Sequence, residues 1–206
     1  MDQISLNVQP APEEIISFIT DNMNLEDYDF LLPLISDKRS NNAESEIFEH
    51  FKGKISFENA ALYQRLAVVL KNEKLQANTF AFINRNFSKV AETDGFLQLE
   101  HGLLFKILAS SGLQITSELE VFHAGNAWLN HDLIGRSMYA DEVLSKVRLH
   151  LLSKAALEQL LQNYNSSSKE LVCADEIQTA LKQKSSKSAS NAPLKNDDTN
   201  VEKQGN

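Results

Sequence analysis

A chain of 206 residues with 42% hydrophobic character can bury one compact core, or two small ones that share it, without disulfide or metal staples. Its 28 acidic against 20 basic residues give a formal charge of −8, which repels phosphate backbones and makes nucleic acid a poor partner. The single cysteine, Cys173, allows no internal disulfide; with no signal-peptide pattern and no apolar run long enough to span a bilayer, a reducing, cytoplasmic home away from membranes is expected.

In chain order, apolar residues recur mostly at three and four rather than at two, so the expected fold class is all-α, built from stacked helix pairs, with at most a residual strand near Ile4 to Val8. Pro12 sits where a first-turn proline is tolerated and leads EEIISFIT. LEDYDFLLPLI is a second helix, expected to be strained or to end near Pro33. NNAESEIFEHFKG places Ile47, Phe48 and Phe51 on one face, with Gly53 as its C-cap. Ser56 is expected to start FENAALYQRLAVVLK with Leu62, Leu66 and Val69 in register, and NEKLQANTFAFINRNFSKVAE to continue with Leu75, Phe82, Ile83 and Phe87. HGLLFKILASSG, SELEVFHAGNAWLNHD, GRSMYADEVLSKV, SKAALEQLLQNY and KELVCADEIQTAL follow as further helices. Cys173, in the last of these, is expected on a buried side as a core residue. From Lys182 the chain is rich in Ser, Lys, Asn and Asp and cannot bury enough apolar surface to offset ordering entropy, so residues 183–206 are expected to form a disordered tail.

The segment SELEVFHAGNAWLNHD holds the only tryptophan and two histidines. Ser117 and Glu120 form an S-x-x-E capping box, which starts the helix at Ser117. Val121, Phe122, Gly125, Trp128 and Leu129 then share one apolar stripe about 120° wide. His123 points away from that stripe and lies roughly 12 Å along the axis from His131, so one metal ion cannot take both, and both are expected to be exposed and unliganded. Glu118 falls on the apolar side of the first turn. A carboxylate there is either a general acid or half of an internal ion pair; with no second convergent catalytic group the ion pair is favoured, with Arg148 or Arg136 as the nearest cation in sequence. Trp128 is expected to be a core anchor. Phosphate-cradle, dinucleotide, nucleophile-elbow and H-E-x-x-H motifs are absent, so no catalytic, cofactor-binding or metal-ligating residues are assigned and enzymatic activity is not expected.

The run FINRNFSKVAETDGFLQLEHGLLFKILASSGLQITSELEVFHAGNAWLNHDLIGRSMYADEVLSKVRLHLLS resembles the BACK domain of BTB–kelch proteins. The resemblance is carried by Asn86–Phe87, Phe96 to Leu99, the SELEVF run, Trp128, Arg136 and the VRLHLL around Arg148. Upstream, VQPAPEEIISFITDNMNLEDYDFLLPLISDKRSNNAESEIFEHFKGK is similar to the last part of a BTB domain, through Phe18-Ile19-Thr20 and the Ile47, Phe48 and Phe51 stripe. The resemblance implies a BTB remnant over residues 1–52 that includes the start of the segment called the 3-box, and a BACK domain over 53–182. Met1 then falls inside a BTB domain whose front is missing, and no kelch repeats follow residue 182. It also implies a non-enzymatic adaptor or scaffold of cullin-3 ubiquitin ligases, acting in ubiquitination and proteasomal degradation. The alternative is an interaction module outside ubiquitin ligation that pairs with or regulates full-length BTB–BACK proteins. The helix pair at residues 43–70 corresponds to the 3-box, and Phe48, Phe51, Ile55, Phe57 and Leu62 are its expected surface for cullin-3, or simply pack the helical repeat. Without the front of the BTB domain, a face bearing Ile15, Phe18, Ile19, Phe30 and Leu31 is expected to be uncovered and to drive self-association or partner binding, with Phe18 and Phe30 as its test positions.

Overall fold

The computed structural model describes residues 12–36, 42–165 and 174–189. The described residues are helical, with no strand among them. They fall into two compact units, one ending at Val147 and one beginning at Arg148. The region near Ile4 to Val8 and Cys173 lie outside the described residues.

The first unit opens with α1 (Pro12–Asn22), α2 (Leu25–Ser36) and α3 (Ala43–Lys52). Helix α2 runs through Pro33 instead of ending there. Pro33 is exposed and sits near the helix end, so the single backbone bond it removes faces water, while Leu31 beside it is fully buried. Gly53 does follow α3, but at φ −92° it uses no conformation closed to other residues. The residue that uses the left-handed region is Lys71, at φ 53° in the turn after α4 (Ala60–Val69). Helix α4 starts four residues later than its pattern suggests, because Asn59 first closes a turn, accepting from the Ser56 amide and donating to the Lys54 carbonyl. Its buried face also holds the small residues Ala60, Ala61 and Ala67, and α5 (Glu73–Arg85) packs against α4.

Asn72 joins three helices. Its side chain caps α5 by accepting from the Leu75 amide at 2.9 Å, and it donates to the Glu44 carbonyl of α3 at 2.8 Å, while its own amide closes on Ala67 of α4. Between α4 and α5 the buried Thr79 hydroxyl meets Gln64 and the Leu75 carbonyl. These helices share one core of Ile19, Leu31, Ile47, Phe51, Tyr63, Leu66, Ala67 and Leu75, so no seam separates residues before 52 from those after. The uncovered N-terminal face expected from sequence is therefore corrected: Ile19 and Leu31 are fully buried, and Phe18 and Phe30 pack half-buried against the same core. Helices α3 and α4 supply the cover.

Asn86 interrupts the next segment, so α6 (Phe87–Ala91) is separate from α5, and α7 (Asp94–Leu97) and α8 (His101–Leu108) follow. Helix α9 (Glu118–His131) buries all five residues of the expected stripe. Gly125 is where α9 comes closest to its neighbours: a Cβ there would lie 2.8 Å from Val143 Cγ1 of α11 (Ala140–Leu144) and 3.6 Å from Leu108 Cδ1 of α8. Between α9 and α11 the chain forms α10 (Leu133–Arg136) and a 3-10 turn, Ser137–Tyr139. In the second unit, α12 (Lys154–Asn165) and α13 (Ala174–Ala189) pack on each other through Leu157, Leu160, Ile177 and Ala180. Helix α13 continues past Lys182 into the expected tail. Lys, Gln and Ala are good helix formers, and a helix anchored by Ile177 propagates without further burial.

Candidate interaction surface

The residues expected to form a partner surface divide into three groups. Phe51 is interior, 0% exposed, with its ring edge-on to Tyr63 at 5.0 Å. It anchors α3 against α4 and cannot be touched unless the pair opens. Phe48, Ile55 and Leu62 are half-buried around the edge of the same core, as are Phe18 and Phe30. Cations shade two of these rings: Lys52 Nζ lies 5.7 Å from the Phe48 centroid, and the Arg65 guanidinium 5.1 Å from that of Phe18. Phe57 has other ring neighbours, Phe82 at 5.8 Å and the Lys89 ammonium at 4.7 Å.

Behind this rim is a polar cluster that the sequence did not disclose. Asp27, 1% exposed on α2, accepts at Oδ1 from Lys54 Nζ at 2.9 Å and lies 2.8 Å from His50 Nε2. Lys54 Nζ is also 2.9 Å from His50 Nε2 and 3.1 Å from Glu26 Oε1. Asn24 holds the other carboxylate oxygen at 3.0 Å. Burial alone would push the Asp27 carboxyl up, but the hydrogen bonds of Lys54 and His50 and the Lys54 charge outweigh it and hold it below its ordinary value. Bonding to Asp27 in turn raises Lys54. The Tyr63 hydroxyl is pushed up to about 12, by burial first and then by the Asp27 charge to which it hydrogen-bonds. Glu26, Asp27 and His50 bring ligand-type atoms within 4.8 Å of one another, but the Lys54 ammonium occupies the position a cation would take. Partners 23 to 28 residues apart meet here, and only the His50–Lys54 spacing of one helical turn hints at it.

In the rest of the unit, Ser117 caps α9 by accepting from the Leu119 amide, but Glu120 closes on the Thr116 amide at 2.9 Å and on the Ser88 hydroxyl of α6. The Ser88 and Thr116 hydroxyls lower the Glu120 pKa. Next to this contact α6 and α9 leave an open groove of about 360 Å³, floored by Ala91, Ala124 and Ala127 with His123 on its edge. His123 and His131 are both exposed. Glu118 is 5% exposed, as its position on the apolar side implies. Arg136 is not its cation. The Arg136 Nη1 donates to the Leu97 and Trp128 carbonyls, each at 2.8 Å, and Trp128 lies about 15 Å along α9 from Glu118. Trp128 is buried and donates its indole N–H to the Leu99 carbonyl at 2.8 Å. Arg148 belongs to the second unit and is exposed. No described helix is long and apolar enough to cross a membrane.

Curated proteins are similar in sequence to about half of this chain or somewhat more. Kelch repeat and BTB domain-containing protein 2 of Homo sapiens is 31% identical over 124 residues, 60% of this chain and 20% of that protein. Kelch repeat and BTB domain-containing protein 3 of Homo sapiens is 35% identical over 101 residues, 49% of this chain and 16% of that protein. Kelch-like protein 7 of Gallus gallus is 32% identical over 114 residues, 55% of this chain and 20% of that protein. The chain thus spans a fifth or less of the length of these relatives. Residues 60–162, from the first residue of α4 into α12, match the family described as BACK, BTB And C-terminal Kelch, and the chain belongs to that family.

Proposed function

We propose that this BACK-family chain is a non-enzymatic adaptor or scaffold that binds cullin-3 through the 3-box-like helices α3 and α4, in the service of protein ubiquitination in the cytoplasm. The observation that carries this reading is the half-buried rim of Phe48, Ile55 and Leu62 on a core already closed by Phe51. Such a rim offers apolar area to an incoming segment without requiring the helix pair to open. Phe57, over Phe82 and Lys89, is a second contact point beside it. Residues 1–52 belong to the C-terminal part of a BTB domain in this reading.

Calorimetric titration of the full chain with the N-terminal domain of cullin-3, its N-terminal extension included, tests the proposal. Binding at about 1 μM or tighter is expected, weakened at least about tenfold by Phe48→Asp with the helical circular dichroism unchanged. No binding by the wild-type chain at about 100 μM overturns it. The alternative, pairing with another BTB–BACK protein or with a second copy, draws on Leu25, 75% exposed at the start of α2. Sedimentation of the chain alone and mixed with a full-length relative separates the two, since only the alternative yields a complex without cullin-3.

A further inference from the structure

We propose that Asp27, His50 and Lys54 form a protonation-controlled latch: imidazolium formation at His50 expels the Lys54 side chain and loosens the loop from Gly53 to Asn59. The loop's use as a partner surface rests on the function proposed above; the latch itself is a property of the chain alone.

His50 Nε2 lies 2.8 Å from Asp27 Oδ1 and 2.9 Å from Lys54 Nζ. A carboxylate only accepts and an ammonium only donates, whereas one ring nitrogen either donates or accepts. The three edges of this triangle therefore cannot all be hydrogen bonds at once. With the imidazole proton on Nδ1, Lys54 bridges His50 and Asp27. With it on Nε2, His50 donates to Asp27, and Lys54 keeps Asp27 and Glu26. The imidazolium permits only the second arrangement, and it places two cations 2.9 Å apart.

One of the three must move, and the packing selects which. The imidazole is stacked on Phe30 with centroids 3.8 Å apart and meets the edge of Phe51 at 4.8 Å. Asp27 is buried and tied to Asn24 through both its amide and Oδ2. The Lys54 side chain is 36% exposed, at the end of a flexible stem. Other charges facing the triangle do not replace it. Glu26 is largely exposed, Tyr63 reaches Asp27 from α4 as a neutral hydroxyl, and on α3 Glu49 pairs with Lys52 while Glu46 is exposed. Lys54 also anchors the loop backbone: its amide donates to Phe51 and its carbonyl accepts from Asn59, which holds Ser56. Ile55 and Phe57 lie between these ties. Release of the ammonium removes the side-chain hold on that short segment.

The test follows the ring nitrogens of His50 and the backbone amides of uniformly 15N-labelled full chain from about pH 8 to about pH 5, with amide-exchange protection factors at each end. Amides of Lys54, Ser56 and Ala60, which donate to Phe51, Asn59 and Ser56, are expected to shift with the midpoint of the His50 ring, and their protection to fall at least about threefold at the acid end. His50→Gln should abolish this dependence, and Lys54→Met should leave the loop weakly protected at both ends. The proposal is overturned if His50 titrates while the loop stays unchanged, if His50 stays neutral throughout, or if the dependence persists in His50→Gln. Should His50→Gln fail to fold, pH-independent protection in Lys54→Met supports the latch, and a wild-type-like acid loss overturns it. Cullin-3 affinity enters none of these readouts.

Discussion

The Arg136 guanidinium lies 4.2 Å over the indole of Trp128, and its Nη1 also donates to the Trp128 carbonyl. One residue thus stacks on the largest buried side chain and ties down the C-terminal part of α9, while reaching across to Leu97 of α7. Trp128→Ala should destabilise the chain by about 3–5 kcal/mol, since it removes a fully packed aromatic and leaves the Leu99 carbonyl without its donor. Arg136→Lys keeps the charge but loses the planar stack and the fixed pair of donors, and should cost about 1–2 kcal/mol. Urea denaturation followed by tryptophan-independent circular dichroism measures both.

Gly125→Ala sets two opposing effects against each other. Alanine favours the helix by about 1 kcal/mol, but its methyl would sit 2.8 Å from Val143 Cγ1 on a β-branched side chain with little freedom to turn. Overpacking should win, for a net loss of about 1–2 kcal/mol. Val143→Ala in the same chain should recover part of that loss, a coupling readable from a double-mutant cycle; simple additivity would mean the close approach is not the cause.

At Asn72 the cap and the cross-helix bond can be separated. Asn72→Ala loses both the Leu75 cap and the bond to the Glu44 carbonyl, in a buried position, and should cost about 2–4 kcal/mol. Asn72→Asp retains a capping oxygen but replaces the donor facing Glu44 by an acceptor. Its amide at Leu75 should therefore stay protected from exchange while global stability still falls. Equal loss of Leu75 protection in both variants would contradict this division.

Stability should fall as the pH rises from about 10 to about 12. Tyr63 is raised to about 12, so the folded chain holds this proton where the unfolded chain has released it. Its contribution is complete below the unfolded value near 10 and lost as the pH passes through the folded one, roughly 2 kcal/mol in all. Lys54, also raised, acts with the same sign. Tyr63→Phe should flatten the slope in this window, measured as denaturation midpoints against pH. The difference in tyrosinate absorbance between wild type and variant should show Tyr63 ionising late.

What the sequence determined by itself was periodic and local. The three-to-four spacing set the helical class, Ser117 set the start of α9, and the stripe from Val121 to Leu129 set the buried face of that helix. These follow from backbone geometry and side-chain phase, which neighbouring residues carry among themselves. Tertiary structure decided what depended on contacts across the chain. Pro33 could stay inside α2 because its lost bond faces water, and Ile19 and Leu31 found cover on α3 and α4 rather than staying exposed. Arg136 went to Trp128 rather than to Glu118, because the chain after α9 turns back onto the C-terminal end of that helix, about 15 Å along its axis from Glu118. The Asp27, His50 and Lys54 triangle was invisible for the same reason: each residue alone looks like an ordinary surface charge, and only the packing of α2 against α3 buries the carboxylate that gives the other two their roles.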